Sequence, residues 1–220
     1  MDRTFTDDQL WAAIDAQRLR TAQLLEGLTA EQWRRPSLCE GWTVRDVAAH
    51  LTLQQVGPGT GLLMFMKHPG GVNRIIHESA RDRAALPTEE LIARLRASVG
   101  SRRHNMGLTG RETLIDVLVH GQDIAIPLGL DLEMPPQAAA EAATRVWTSR
   151  GTGRAKVFRD IALSGFRLVA EDVDWAVGEG LEIRGPISAL LLLLTGRPAA
   201  LPRLTGSGAD TLRRHLATAP

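Results

Sequence analysis

The sequence predicts a mainly α-helical protein that ends in a small α+β unit. Three observations support this division. Apolar residues recur at helical spacing through most of the first 150 residues, Gly151-Thr152-Gly153 has the composition of a linker, and strand-like alternation first appears near Phe166. We therefore expect an all-helical domain over residues 1–150 and an α+β domain over residues 154–220.

Apolar spacing and capping residues define the helices of the first domain in turn. Segments with helical spacing are Thr6–Leu28, Val72–Arg83, Pro87–Gly100, Arg111–Leu128 and Pro136–Arg150. Thr29–Trp33 is expected to form a short capped turn. A further helix begins at Thr43, where Asp46 completes a capping box, and passes His50 until Gly57-Pro58-Gly59 perturbs it. Whether the helical pattern resumes as far as Met66 is left open.

The second domain has shorter elements of a different period. Phe166–Ala170, Val173–Val177 and Leu181–Arg184 read as strands, with a turn at Gly178-Glu179-Gly180. Pro186–Thr195 is so apolar that we expect a buried helix, which Gly196 ends. A short final helix is expected at Ala209–Leu216.

Composition excludes several classes of function. The 26 basic and 25 acidic residues give a net charge of +1, so no basic excess is available for nucleic acid. The longest apolar run, Ala189–Leu194, is too short to span a membrane. The single cysteine, Cys39, excludes an internal disulfide and a cysteine-based zinc finger. With no visible signal peptide at the start, we expect a cytoplasmic protein.

Two helices carry a polar stripe that includes a histidine. One stripe contains Glu112, Asp116, His120 and Asp123, and the other contains Thr43, Asp46, His50 and Gln54. Such a stripe is also typical of the solvated face of an amphipathic helix, and spacing alone does not decide. A carboxylate and an imidazole on one face, opposite an imidazole of another helix, is nevertheless how a bundle holds a divalent metal.

The remaining reactive residues are less informative. Cys39 precedes a helix N-terminus, a position that lowers a thiol pKa, but small buried cysteines are the commoner case. We predict that it is not a catalytic nucleophile. The other four histidines have no partner in the sequence and are expected at the surface: His68, His77, His104 and His215.

Three segments of the chain resemble the mycothiol-dependent maleylpyruvate isomerase family, within the DinB-like metalloenzyme superfamily. The first is Cys39-Glu40-Gly41-Trp42-Thr43-Val44-Arg45-Asp46-Val47-Ala48-Ala49-His50-Leu51, and the second is Val119–Ala125 followed by Pro127-Leu128-Gly129. The third comprises Val173–Gly180, Arg184-Gly185-Pro186, Leu190–Leu194 and Gly196-Arg197. The resemblance covers nearly the whole chain.

The resemblance implies a DinB-like up-down four-helix bundle followed by a domain similar to sterol carrier proteins. It also implies a divalent metal, often zinc, on His50, Asp116 and His120. This chain has Asp116 where the isomerase has Glu, which is one methylene longer. With three protein ligands, one coordination position stays open, and a thiol bound there is deprotonated. The resemblance points to mycothiol as that thiol.

We therefore expect a metal-dependent enzyme that uses mycothiol for isomerisation or S-transfer on a small electrophilic substrate. Arg184 and Arg197 are candidate anion-binding groups for the thiol cofactor or a carboxylate substrate, although each is equally typical of a surface charge. Residues 154–220 are expected to close the active site. The alternative hypothesis is a non-catalytic metal-containing binding or regulatory protein, because fold does not determine chemistry.

Overall fold

The computed structural model of the chain describes residues 5–105, 107–150 and 161–218. The predicted linker Gly151-Thr152-Gly153 lies outside these residues. The helices are α1 (Asp7–Glu26), α2 (Ala30–Arg34), α3 (Val44–Leu51), α4 (Pro58–Lys67), α5 (Val72–Arg83), α6 (Thr88–Ala97), α7 (Gly110–Leu128), α8 (Pro136–Ser149), α9 (Ile187–Leu194) and α10 (Ser207–Thr218). The strands are β1 (Phe166–Ala170), β2 (Ala176–Gly178) and β3 (Leu181–Gly185), and a 3₁₀ helix covers Pro198–Arg203.

Four helices begin with a threonine capping box. The threonine side chain accepts a hydrogen bond from a backbone N–H of the first turn. The side chain of the third helical residue in turn accepts a hydrogen bond from the threonine N–H. The pairs are Thr6–Gln9, Thr29–Gln32, Thr43–Asp46 and Thr109–Glu112. Each cap stabilises its helix by about 1 kcal/mol. The box predicted at Thr43 is confirmed, and it fixes where the helix carrying His50 begins.

Helices α1, α3, α6 and α7 form a ring of contacts within the first compact unit, Met1–Glu133. Helix α1 contacts α7, α7 contacts α3, α3 contacts α6, and α6 contacts α1. The interior is filled by apolar side chains that are almost fully buried, among them Ile14, Leu25, Val47, Leu51, Leu95, Leu114 and Leu118. Their removal from water is the main favourable term in folding, and it places α3 against α7.

Helix α3 is shorter than the sequence pattern suggests. It ends at Leu51, and the Thr52 hydroxyl donates to the Ala49 carbonyl at 2.7 Å. Asn105 then holds the following segment out of helical form: its Oδ1 accepts from Val56 N–H at 2.8 Å, and its Nδ2 donates to the Leu53 carbonyl at 3.0 Å. The helical pattern resumes as the separate helix α4, which has proline in its first turn.

The second compact unit, Met134–Pro220, contains α8 as well as the strands. The sequence predicted α8 in the first domain, whereas this helix packs on α9. Every residue of helix α9 except Ser188 is apolar and buried, so the helix needs cover on nearly every side. The buried alanines of α8 allow the two helices to approach closely: Ala138, Ala139, Ala142 and Ala143.

The three-stranded sheet has the order β2-β1-β3. Strand β2 is antiparallel to β1, whereas β3 is parallel to it. The chain passes from β2 to β3 around the start of β1 through Glu179 and Gly180. At Gly180 (φ +117°) a Cβ atom would collide with the carbonyl oxygen of Gly165, so this crossing requires glycine. The turn expected at residues 178–180 is this crossing.

The predicted fold class, mainly α with a small α+β part at the C-terminal end, is confirmed. Within the described ranges, no helix combines the length and the apolar character needed to cross a bilayer.

Candidate metal centre

The structure brings His50, Asp116 and His120 together between α3 and α7. The Nε2 atom of His50 lies 3.3 Å from Oδ2 of Asp116, and Nε2 of His120 lies 3.3 Å from Oδ1 of the same carboxylate. The two imidazole rings are 4.7 Å apart and stand nearly edge-on, at 74°. One carboxylate therefore lies between two imidazoles, each of which turns Nε2 towards it.

The helix positions explain this convergence. Asp116 and His120 are one turn apart on α7 and so share a face, and His50 lies in the last turn of α3. The His50 and His120 side chains are 15% and 14% exposed, whereas that of Asp116 is 33% exposed. The stripe on α7 is therefore not a solvated face at His120. The cluster is open to solvent on the side of the carboxylate.

Gln54 also contacts the Asp116 carboxylate, at the oxygen that faces His50. Its Nε2 donates to Oδ2 of Asp116 at 2.9 Å. The residue is 5% exposed, and its Oε1 is buried without a hydrogen-bond partner among the described residues. The sequence placed Gln54 on the same stripe as His50 but gave no reason to assign it a role.

Asp123 contacts the far nitrogen of His120. Its Oδ2 lies 2.8 Å from Nδ1 of His120, and the Cys39 thiol donates to the same oxygen at 3.1 Å. The Asp123 side chain is fully buried. Sequence spacing put Asp123 near His120, but its contact with Cys39 joins residues that are far apart in the chain.

The loop that carries Cys39 is also attached to Asp123 through the main chain. The Leu38 N–H donates to the Asp123 carbonyl oxygen at 3.1 Å. In a regular helix that oxygen would accept from the residue four positions on, but this residue is Pro127, which has no N–H. The proline inside α7 thus makes a carbonyl available to the loop. A proline inside the helical pattern, Pro127, is the sequence feature from which this contact could have been predicted.

Trp42 borders the cluster and is itself almost fully buried, at 7% exposure. Its ring centre lies 5.3 Å from that of His50 and 6.3 Å from that of His120. It also lies 5.6 Å from the ring of His77, which we expected at the surface. His77 is instead half-buried against this tryptophan, because α5 packs on α3.

The charges of the cluster shift two pKa values in opposite directions. Burial alone would raise the pKa of Asp116, but His50 and His120 hold it well below its ordinary value. Burial alone would lower the pKa of His120, but its hydrogen bond to Asp116 and the Asp116 charge raise it well above its ordinary value. Asp123 and Cys39 contribute in the same direction. Without a metal, the cluster therefore favours a carboxylate paired with an imidazolium.

Among the residues that the structure describes, two groups of side chains have ligand atoms within 4.8 Å of one another: His50, Asp116 and His120, and also Cys39, His120 and Asp123. The two groups share His120. The first matches the sequence-predicted set, and the second was not predicted as a set.

The two arginines proposed from sequence lie in the second compact unit. Arg184 is on β3 and forms ion pairs with Glu182 at 2.8 Å and Glu171 at 3.7 Å. Arg197 precedes the 3₁₀ helix and donates to the carbonyl of Thr195. Their role in anion binding stays a prediction.

A helical bundle with two imidazoles and a carboxylate between two of its helices belongs to a class in which metal sites are built from facing side chains. Residues 14–113 match the family described as the mycothiol maleylpyruvate isomerase N-terminal domain. The resemblance seen in the sequence is therefore confirmed over these residues.

The fold of nearly the whole chain is also that of the isomerase. The crystal structure of the mycothiol-dependent maleylpyruvate isomerase matches with a TM-score of 0.62 at 16% identity, covering 93% of this chain and 94% of the other. The structure of a histidine-to-alanine mutant of that isomerase matches over the same shares, with a TM-score of 0.61. No curated protein matches the sequence. At this identity, the structural likeness establishes the fold.

Proposed function

We propose that the chain holds one divalent metal ion, expected to be zinc, through His50, Asp116 and His120, and uses it with mycothiol to act on a small electrophilic substrate. The observation that carries this proposal is the placement of the Nε2 atoms of two histidines on two helices, each 3.3 Å from the carboxylate of Asp116. The family match over residues 14–113 supports the choice of thiol.

The distances in this cluster fit zinc ligation. Nitrogen and oxygen ligands lie about 2.0–2.2 Å from zinc, so tetrahedral geometry separates two of them by about 3.4 Å. Each histidine nitrogen lies 3.3 Å from its own oxygen of the carboxylate, which is close to this value, and the three ligand atoms lie within 4.8 Å of one another. These nitrogen–oxygen separations are longer than the usual N–H···O hydrogen bond, about 2.9–3.0 Å. Two neutral imidazoles and one carboxylate are also a donor set that zinc accepts.

The surrounding contacts are those that metal ligands need. Asp123 lies at hydrogen-bond distance from Nδ1 of His120, so a neutral His120 with its proton on Nδ1 would turn the lone pair of Nε2 towards Asp116. Gln54 orients the Asp116 carboxylate by donating a hydrogen bond to it. Three protein ligands leave a fourth position, and the exposure of Asp116 indicates the side from which a small molecule enters.

A zinc ion bound here would lower the pKa of a coordinated thiol, supplying a thiolate at neutral pH. His50, Asp116 and His120 provide the metal ligands. Trp42 forms an apolar wall that excludes water from one side of the site. The Cys39 thiol is directed to Asp123, away from Asp116. The thiol is therefore proposed to come from mycothiol and not from the protein.

Two reactions are compatible with an activated thiol. Thiol addition to a cis double bond, rotation and elimination give the trans isomer and return the thiol. S-transfer instead consumes one thiol for each substrate. We propose isomerisation of maleylpyruvate as the first reaction to test, because the matched family carries that name. Asp116 is shorter than the Glu of the isomerase, so a different substrate is compatible with the same chemistry.

Purified protein loaded with zinc should be assayed on maleylpyruvate and on a simple electrophile, with and without mycothiol, while free thiol is measured. Substrate loss without thiol loss identifies an isomerase, and equal losses identify an S-transferase. The metal-free protein should be inactive in both assays. Zinc binding with no thiol-dependent turnover on either substrate contradicts the enzymatic proposal and favours the non-catalytic alternative.

A further inference from the structure

The hydrogen bonds around Asp123 assign roles to two residues that the proposed metal set leaves out. We propose that Asp123 is a positioning residue that fixes the imidazole of His120, and that Cys39 holds the Asp123 carboxylate in place by donating to it. The metal-binding consequences of this inference rest on the proposed function. The orientation of His120 does not, because it is a property of the protein without metal.

Distances decide between hydrogen bonding and metal binding at Cys39, Asp123 and His120. Two ligands of one tetrahedral zinc are separated by about 3.4 Å for nitrogen and oxygen and by about 3.6 Å for sulfur and oxygen. The Nδ1 to Oδ2 separation is 2.8 Å and the Sγ to Oδ2 separation is 3.1 Å. Both distances to Oδ2 are hydrogen-bond lengths and are shorter than zinc ligation allows, while Sγ lies 3.6 Å from Nδ1. Because two ligands of one zinc cannot approach as closely as Nδ1 and Oδ2 do, this trio differs from the trio at Asp116, where the separations are 3.3 Å.

The Asp123 carboxylate constrains the orientation of the His120 ring because it is buried. A buried carboxylate is costly unless donors satisfy it, and an imidazole N–H and a thiol are among its donors here. Rotation of the His120 ring would remove one of these donors. The ring is therefore held with Nδ1 towards Asp123 and Nε2 towards Asp116.

The main chain fixes the position of the thiol. Leu38 N–H donates to the carbonyl of Asp123, the oxygen that Pro127 leaves without a helical partner. The Ser37 hydroxyl accepts from the Cys39 N–H at 3.1 Å and donates to the Trp42 carbonyl at 2.9 Å. The loop and α7 thus meet at both the backbone and the side chain of Asp123. Cys39 acts here as a donor held in place, not as a nucleophile.

The test uses the full-length chain in four variants and one control. Asp123→Ala removes the acceptor, and Asp123→Asn keeps an oxygen acceptor but removes the charge. Cys39→Ala removes the donor, and Cys39→Ser keeps one. The control is Asp131→Asn, which removes an exposed carboxylate of the same unit. Circular dichroism and thermal unfolding show whether each variant remains folded.

The first readout is the Nδ1–H proton of His120, observed by NMR with ¹⁵N-labelled histidine and assigned from its absence in His120→Ala. In the wild type, without metal, we expect a slowly exchanging proton shifted downfield by its bond to Asp123. It should be lost or move upfield in Asp123→Ala, move less in Asp123→Asn, and remain in Asp131→Asn. If folded Asp123→Ala leaves this resonance unchanged, the positioning role is wrong.

The second readout is zinc affinity, measured by competition with a chelator. We expect a loss of about 10- to 100-fold for Asp123→Ala. Cys39→Ala should lose less, and Cys39→Ser should recover most of that loss. Two zinc ions per wild-type chain, one of them absent in Cys39→Ser, would make Cys39 a ligand and overturn the inference. A wild type that binds no zinc contradicts the proposed function alone, because the NMR readout decides the role of Asp123 without metal.

Discussion

The Nε2 atom of His50, in the last turn of α3, lies 3.3 Å from Oδ2 of Asp116 on α7. The two residues are far apart in sequence, and the contact exists because α3 packs against α7 in the helical ring of the first unit. His120 approaches the second oxygen of the same carboxylate at 3.3 Å. Asp116 is therefore the centre of the cluster.

Replacing either histidine should remove most of the bound metal. With His50→Ala or His120→Ala, only two of three protein ligands remain, so we expect zinc to be largely lost after dialysis against a weak chelator. The wild type should retain about one ion per chain by elemental analysis. His104→Ala is the control, because His104 is an exposed histidine of the same unit. Full metal content in both ligand variants would mean that the ion is held elsewhere.

We expect Asp116→Glu to weaken zinc binding less than Asp116→Asn does. Asp116→Glu keeps the charge and lengthens the side chain by one methylene, so zinc affinity should stay within about 10-fold of the wild type. Asp116→Asn keeps the shape but removes the charge, and we expect a larger loss because the site then offers no anionic ligand. Chelator competition measures both. Equal affinities for the Asn variant and the wild type would exclude Asp116 as a ligand.

Zinc binding should release a proton from His120. The pKa of His120 is raised in the metal-free protein, whereas a ligating imidazole must be neutral at Nε2. Calorimetric titrations near pH 7 in two buffers of different ionisation enthalpy should therefore give different apparent enthalpies. The difference should correspond to release of about one proton per ion, and identical enthalpies in the two buffers would contradict this prediction.

The stabilisation of the fold by zinc should increase with pH. Because the folded pKa of His120 is raised, its stabilising contribution is complete below about pH 6.5 and is lost as pH rises through the raised value. The lowered pKa of Asp116 stabilises the fold above about pH 4, and this contribution is lost at lower pH. The increase in Tm caused by zinc should therefore grow from about pH 6 to about pH 8. A constant increase over this range would contradict the proton–metal competition.

Much of the fold was readable from the sequence because local signals define it. The capping box at Thr43, the span of α5 and strand β1 follow from side-chain type and period. The end of α3 was not readable, because Asn105 imposes it from a distant part of the chain. The packing of α8 on α9 was likewise not readable from local sequence, because it depends on the need of α9 for apolar cover.

The site was predictable to the extent that it lies on helical faces. The spacing of Asp116 and His120 predicts a shared face, and family resemblance supplied His50 as the opposite residue. The contacts of Cys39 and Leu38 with Asp123 were missed because they are long-range and depend on the carbonyl that Pro127 leaves open. The position of His77 was missed because its neighbour Trp42 belongs to another segment.

Arg184 and Arg197 are predicted to act on substrate or thiol affinity and not on metal content. Arg184→Ala and Arg197→Ala should raise the KM for mycothiol or for a carboxylate substrate while elemental analysis stays unchanged. The control is Arg167→Ala, because Arg167 on β1 also faces Glu182, at 3.9 Å. An equal rise in KM for the control would show a general effect on the sheet and not recognition of an anion.

The crossing between β2 and β3 should depend on Gly180. A Cβ atom at this position would collide with the Gly165 carbonyl, and the backbone has φ +117°. Gly180→Ala should therefore lower the free energy of unfolding by more than about 1 kcal/mol. Gly165→Ala is a matched control, since φ is also positive there but nothing lies within 4 Å of the added atom. Similar losses in urea unfolding would mean that the collision has no separate effect.

We propose that His50, Asp116 and His120 hold a metal that keeps one coordination position open for an exogenous thiol. X-ray absorption at the zinc edge tests it most directly, on the loaded protein before and after mycothiol is added. Before addition we expect only nitrogen and oxygen neighbours at about 2.0–2.2 Å, and after addition one sulfur at about 2.3 Å. A sulfur neighbour before addition would make Cys39 a ligand, and no sulfur at saturating mycothiol would show that the thiol does not bind the metal. Either result would contradict the account.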